Sequence, residues 1–386
     1  MSKTTSRLLL ILTLIISLSS LGFAQRTTQT GILSGTVVDN EGISLPGVAI
    51  AATSPYLMLP EVSTVTDEKG FFRLPNLSTG TYKVVFELQG FKTIIREGIR
   101  ISMGTTTSLT ITMELTAIME SITVVGEGPT VDKQKTSLGV NLGLEFLRNI
   151  PATRNLGTMF NMAPGVTGST THGSSERDNA YNMDGVNITD PVTGTPFVGI
   201  GFGIAEEYQV QTGGHAAEFG SVRGGMLNVI TKSGGNRISG EANFYYKHKD
   251  LQSDNTKGTP FEGQFVGFNY EVDTSFQLGG PLIKDKLWFF GNYTYRYQET
   301  FVEGYPYDED QHTPYDRKWM YPFAKVSWQI NPAMKLVGSW NWSPFKRTHR
   351  GASKTRNEDT TWKQYSRANT VNLTYSWMVS NNLIYT

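Results

Sequence analysis

From Gln264 to Gly279, apolar and polar positions alternate one for one. Val266, Phe268, Tyr270, Val272, Phe276 and Leu278 fall on one face, and Gly267, Asn269, Glu271, Asp273, Ser275 and Gln277 on the other. A period of two belongs to a strand whose faces meet different surroundings. The pattern returns with Phe289, Tyr293, Tyr295 and Tyr297 against Asn292, Thr294, Arg296 and Gln298, then with Ala324, Val326, Trp328 and Ile330 against Lys325, Ser327 and Gln329. Leu336, Gly338, Trp340 and Trp342 oppose Lys335, Ser339 and Asn341, and Val371, Leu373, Tyr375 and Trp377 oppose Thr370, Asn372, Thr374 and Ser376. A weaker strand over Ile238 to Lys247 precedes them, and another begins at Leu383.

The connections alternate too. Gly280 to Lys284, Asn331 to Met334 and Ser380 to Asn382 are tight, whereas Lys249 to Gly263, Thr300 to Met320 and Ser343 to Lys363 are long and polar. Short and long connections therefore fall on opposite ends of one antiparallel sheet, as in a membrane barrel with short periplasmic turns and long outer loops. A secreted sandwich with irregular loops is the competing reading, but it supplies no reason for strict alternation of loop length.

At the amino terminus, Lys3 and Arg7 precede an apolar run from Leu8 to Leu18, and Gly22-Phe23-Ala24 precedes Gln25. That is the layout of a Sec signal peptide cut after Ala24, residues 1–24, and the run is short for a bilayer about 30 Å thick. No later segment stays apolar long enough for a spanning helix, so any spanning element is a strand, and strands leave no unpaired edge in lipid. Six strands with a seventh begun enclose little, so the expectation is the amino-terminal part of a longer barrel. The 386 residues predict several domains. Lys+Arg and Asp+Glu both number 34, giving no electrostatic pull toward nucleic acid. Without cysteine, disulfides and thiolate metal sites are excluded. The five histidines are scattered, so neither a metal site, a cofactor nor a catalytic constellation is expected.

Residues 31–115 read as short strands punctuated by turns such as Asp39-Asn40-Glu41-Gly42, Pro46-Gly47 and Asp67-Glu68-Lys69-Gly70. A small antiparallel sandwich is expected. The succession Gly35-x-Val37-x-Asp39, Leu45-Pro46-Gly47-Val48, Thr66-Asp67-x-x-Gly70-x-Phe72 and Leu77-x-x-Gly80-x-Tyr82 resembles the carboxypeptidase regulatory-like domain, a prealbumin-like fold. The resemblance implies core aromatics at Phe72 and Tyr82 and a spacer or interaction role, not peptidase chemistry.

Residues 117–235 mix short helices, Leu144 to Ile150 and Leu156 to Met162, with strands and many glycines. Asp184-Gly185 marks a tight turn, with Asp184 expected to order it through its own side chain. The blocks Tyr181 to Val186, Glu218-Phe219-Gly220 and Gly224-Gly225-Met226-Leu227-Asn228-Val229-Ile230-Thr231-Lys232, in this order, resemble the plug domain of TonB-dependent outer-membrane receptors, particularly the Oar-like subgroup with an amino-terminal regulatory-like domain. Phe219 stands where the family usually has Tyr. On that resemblance Asp184, Gly185, Phe219, Gly220, Gly224, Gly225, Asn228, Thr231 and Lys232 are structural plug residues. Gly213, Gly214, Gly220, Gly224 and Gly225 are then expected to permit tight turns and approach to a barrel wall over residues 236–386. Glu120, Ser121, Ile122, Thr123, Val124 and Val125 resemble a TonB box; the alternative is a first plug strand. Gly199-Ile200-Gly201-Phe202-Gly203 reads as a flexible plug loop, and Arg347, Arg350, Lys354 and Arg356 as a basic stretch in a solvated loop.

The fold expected is thus mainly β: a prealbumin-like β-sandwich, a mixed α/β plug, then the first antiparallel strands of a transmembrane β-barrel. The resemblance implies a non-enzymatic outer-membrane receptor that imports an unknown extracellular ligand. Its partners would be TonB with the inner-membrane energising complex, and outer-membrane lipid. An adhesive protein using the barrel as a loop platform is the alternative.

Overall fold

The computed structural model describes residues 30–54, 57, 61–115, 121–125, 138–149, 154–215, 222–253, 257–260, 262, 268–302, 315–331, 333–353, 355–356, 358–380 and 383–385. Residues 1–24, where a signal peptide is expected, and Glu120, Glu218, Phe219, Gly220 and Lys354 lie outside them.

The first module contains β1 (Thr30–Asp39), β2 (Ala49–Thr53), β3 (Val62–Val65), β4 (Phe71–Ser78), β5 (Gly80–Glu87), β6 (Thr93–Ile101) and β7 (Thr106–Met113), and β8 (Ser121–Val125) joins it. They form two sheets, ordered β4-β1-β7 and β3-β2-β5-β6-β8, closed over one apolar core. Phe72 and Tyr82 are buried in that core, as expected, with Phe72 edge-on to Phe86 at 5.6 Å. The Tyr82 hydroxyl donates to the Ser78 carbonyl at 2.8 Å, so burying the phenol leaves no orphaned donor. The Asp67 carboxylate accepts from Lys69 N and Phe71 N, both at 2.9 Å, while Gly70 takes φ +68°. That is why the Asp-x-x-Gly spacing makes a turn here. The sandwich is not wholly antiparallel as expected: β1 pairs parallel with β7, and β6 with β8. Side-chain alternation has the same period in both pairings and carries no direction.

The second module contains β9 (Leu138–Gly143), α1 (Leu144–Asn149), α2 (Leu156–Asn161), a small hairpin of β10 (Val166–Thr167) and β11 (Thr170–Thr171), β12 (Ala180–Met183), β13 (Val186–Asn187), β14 (Ala205–Gly213) and β15 (Met226–Thr231). Asn155 caps α2 by accepting from Thr158 N at 2.8 Å. The sheet order is β13-β12-β15-β14-β9, and β12 and β15 are buried on both faces. Burial on both faces explains why Met226 to Ile230 shows little polar alternation.

The third module is one antiparallel sheet of β16 (Ser239–His248), β17 (Phe268–Ile283), β18 (Leu287–Thr300), β19 (Tyr315–Asn331), β20 (Met334–Arg350), β21 (Trp362–Ser380) and β22 (Leu383–Tyr385), each paired with its sequence neighbour. Val371 is 77% and Phe276 60% exposed, while Glu271, Asp273, Ser275 and Gln277 on the opposite face are buried. The apolar row faces outward and the polar row inward, as in a membrane barrel. Two long loops are shorter than the alternation implies, because β19 starts at Tyr315 and β20 runs to Arg350. Backbone pairing such as Arg317 with Arg347 continues where the outer row ceases to be apolar. Alternation reports the surroundings of a strand's two faces, not its hydrogen bonding. Among the described residues no helix is long and apolar enough to cross a membrane.

Candidate functional site

The second module meets the inner face of the barrel sheet, and the densest contact centres on the β12–β13 turn. Asp184 and Gly185 have φ of +48° and +81°, and Asn182 pairs with Asn187 and Met183 with Val186. Two consecutive positive φ values make a two-residue hairpin turn of the primed type. The Asp184 carboxylate reaches Thr231 and Lys325 rather than its own turn, which corrects the expectation that Asp184 orders that turn.

Asp184 Oδ1 accepts from Thr231 N at 2.9 Å, and Oδ2 accepts from Thr231 Oγ1 at 2.6 Å and from Lys325 Nζ at 3.1 Å. Lys325 Nζ also donates to Thr231 O at 3.1 Å and contacts Thr231 Oγ1 at 2.8 Å. All three side chains are buried. Because β19 alternates, Lys325 points inward, and the ion pair fastens the turn to the barrel wall. Beside it, Lys232 Nζ donates to Gln277 Oε1 on β17 at 2.8 Å.

Above this pair, the Gly199 to Gly203 loop lies on the wall. Gly199 N donates to Ser343 Oγ at 2.9 Å, and Asn341 Nδ2 donates to Gly199 O at 3.0 Å. A Cβ on Gly201 would stand 3.0 Å from Thr294 Oγ1, and one on Gly203 would stand 2.9 Å from Asn292 Nδ2. This segment is therefore the packed contact, not a free loop. Gly224 and Gly225 were expected near the wall but approach Asn179, Phe160 and Thr171 within their own module. His215 Nε2 is likewise engaged internally, 2.8 Å from Gly224 O.

On the sheet's other side sits the first module's Ser102 to Thr105 turn. Met103 is 2% exposed; its carbonyl accepts from Gln209 Nε2 at 3.3 Å, and its sulfur lies 3.4 Å from Asn228 Nδ2. Asn228 Oδ1 in turn accepts from Gly185 N at 3.3 Å. Asn228 thus touches both the sandwich and the turn that carries Asp184. Ser121–Val125, as β8, lies in neither the plug sheet nor a loop; it runs parallel to β6, with Thr93 opposite Ser121 and Glu97 opposite Val125. Nearby, burial holds the Tyr208 phenol well above its usual range, against the opposing pull of the Arg154 charge.

Comparison with known proteins converges on the same architecture. Residues 32–114 match the carboxypeptidase regulatory-like domain. The TonB-dependent transporter Oar of Myxococcus xanthus is 32% identical over 302 residues, which cover 73% of this chain and 28% of that protein. The siderophore receptor PirA of Acinetobacter baumannii superposes with a TM-score of 0.50 at 17% identity, covering 64% of this chain and 38% of that one. PirA of Pseudomonas aeruginosa gives 0.47 at 15% identity, covering 66% and 39%. The chain spans less than a third of the length of the curated relative it matches.

Proposed function

We propose that this chain, a TonB-dependent receptor with an amino-terminal carboxypeptidase regulatory-like domain, binds an extracellular ligand and imports it through the barrel by energised rearrangement of its plug. Neither step makes or breaks a covalent bond in the ligand. The machinery needed is a stopper held firmly enough to seal, and released locally when pulled.

The observation that carries this reading is the Asp184–Lys325 pair with Thr231. Apolar packing alone would resist sliding diffusely. A buried ion pair holds at one place, and opening it exposes both charges to entering water, so the contact is firm when closed and tolerable when open. The glycine loop clamped by Asn341 and Ser343 adds a second local attachment.

In this scheme Glu120 to Val125 is the segment that TonB, with its inner-membrane complex, takes as an added strand. The test needs no knowledge of the ligand. Because residues 1–386 lack cysteine, Ile122→Cys or Val124→Cys in the full-length receptor adds a thiol where this part of it has none. In intact cells it should crosslink to TonB, and deleting residues 120–125 should abolish energy-dependent uptake while the protein stays in the outer membrane. Absence of energy-dependent uptake through the intact receptor, with surface attachment lost on the deletion, would replace the transport reading with adhesion.

A further inference from the structure

The long-loop half of the barrel interior carries four arginines that the plug attachment does not use. Arg296 on β18, Arg317 on β19 and Arg347 on β20 lie on the inward rows, and Arg154 of the plug lines one cavity with Arg296. Register places Arg317 directly opposite Arg347, and Asp273 opposite Arg296. Like charges facing each other across a strand pair are destabilising. Arg347, expected in a solvated loop, instead sits within this row.

The four guanidinium groups share a feature: the Nε of each is buried and has no hydrogen-bond partner among the described residues. Arg296 is paired with Glu271 at 3.0 Å. The other three form no ion pair among the described residues. Aromatic faces support the group in place of carboxylates. Arg317 and Arg347 lie 4.3 and 5.6 Å from the Tyr315 ring centre, Arg154 lies 4.6 Å from that of Phe202, and Arg296 lies 5.2 Å from that of Trp319. Arg347 Nη1 donates to Tyr315 Oη at 2.8 Å. Between plug and wall, a cavity of about 200 Å³ is lined by Arg154, Arg296, Asp273 and Tyr321 among others.

Aromatic stacking orients a guanidinium but leaves its in-plane donors free. Arg317 Nη1 also donates to Gln298 Oε1 at 3.4 Å, but the Nε donors stay unpartnered among the described residues, and planar donors held ready and crowded with like charge suit binding of an oxyanion. A purely structural ladder would satisfy the Nε donors. We propose that these arginines form a docking site for an extracellular ligand that presents several carboxylate or phosphate oxygens. The site rests on the receptor reading above and gives that reading a ligand class.

The test is calorimetric titration of the purified full-length receptor in detergent with citrate in one arm and tripolyphosphate in the other. At least one should bind saturably and more weakly as salt rises. Arg317→Gln and Arg347→Gln should each weaken it by about tenfold or more, since a charge-assisted bond is worth roughly that factor. Arg317→Lys, which keeps the charge but not the fork, should fall between, and Lys346→Gln on the outward face should leave binding unchanged. An unaltered urea midpoint certifies that the variants are folded. Binding of neither anion, or equal binding by all variants, would overturn the site. The measurement requires no TonB, so binding that stands while the receptor supports no energy-dependent uptake would sink the transport reading alone.

Discussion

Substituting the plug attachment one partner at a time should loosen it more than substituting both. At 3.1 Å and an effective dielectric near 20, the Asp184–Lys325 attraction is about 5 kcal/mol. Desolvation costs several kcal/mol per ion, so the intact pair is close to neutral against an apolar replacement. Asp184→Asn leaves a buried ammonium without a counter-ion, at a cost of about 3–5 kcal/mol. Lys325→Met should sit at the low end of that range, because Thr231 N and Oγ1 still donate to the carboxylate. The double variant removes both charges, so its loss should be smaller than either single loss and far short of their sum. In planar bilayers, urea releases the plug and the barrel then conducts. With a slope of about 2 kcal/mol per molar urea, each single variant should conduct at a midpoint roughly 2 M lower. Strictly additive shifts, or no shift, would show that the pair does not hold the plug.

Other contacts give narrower expectations. Asn236→Ala removes the acceptor of the buried Trp288 indole N–H, at 2.8 Å, and the bridge to Asp285; stability should fall by about 1–3 kcal/mol, read by urea titration of tryptophan fluorescence. Gly234→Ala drives a methyl group into the Phe289 carbonyl on β18, so it should cost about 1–3 kcal/mol and slow assembly, seen as less heat-modifiable receptor in the outer membrane. Met103→Asp puts a charge into the buried seam between sandwich and plug; sandwich docking should be lost, with the 102–105 turn becoming protease-sensitive while the barrel stays folded.

The strands of the barrel were legible because an apolar outward row and a polar inward row impose a period of two, as in β17 and β21. Their upper ends were not, since residues such as Arg347 pair beyond the apolar band. Core aromatics Phe72 and Tyr82 followed from the resemblance to the regulatory-like domain, yet the parallel pairings of β7 and β8 were not legible, because alternation is blind to direction. Asp184 and Lys325 are 141 residues apart, and a lone lysine on a polar row looks like any inward side chain. The Gly199, Gly201 and Gly203 spacing did carry a signal: glycines at every second position of an extended segment present one bare face, which suits close backbone approach.

Contacts run without a gap from the amino-terminal sandwich to the barrel wall. β8 lies along β6, β6 leads into the turn of Met103, Met103 touches Asn228, Asn228 accepts from Gly185, and Asp184 beside it holds Lys325. Contiguity is not coupling, and a line of touching residues transmits force only if its ends respond to one another. The weakest link is the Met103 sulfur against the Asn228 amide, a contact of little energy by itself. Its value lies in position: Asn228 also steadies the primed turn, so losing its carboxamide frees the backbone that presents Asp184. Asn228→Ala should therefore lower the plug-release midpoint of the parent receptor and have little further effect once Lys325→Met has cut the far end. If Asn228→Ala lowers the midpoint equally in both backgrounds, sandwich and lock are independent, and a pull on β8 would have to reach the plug by another route.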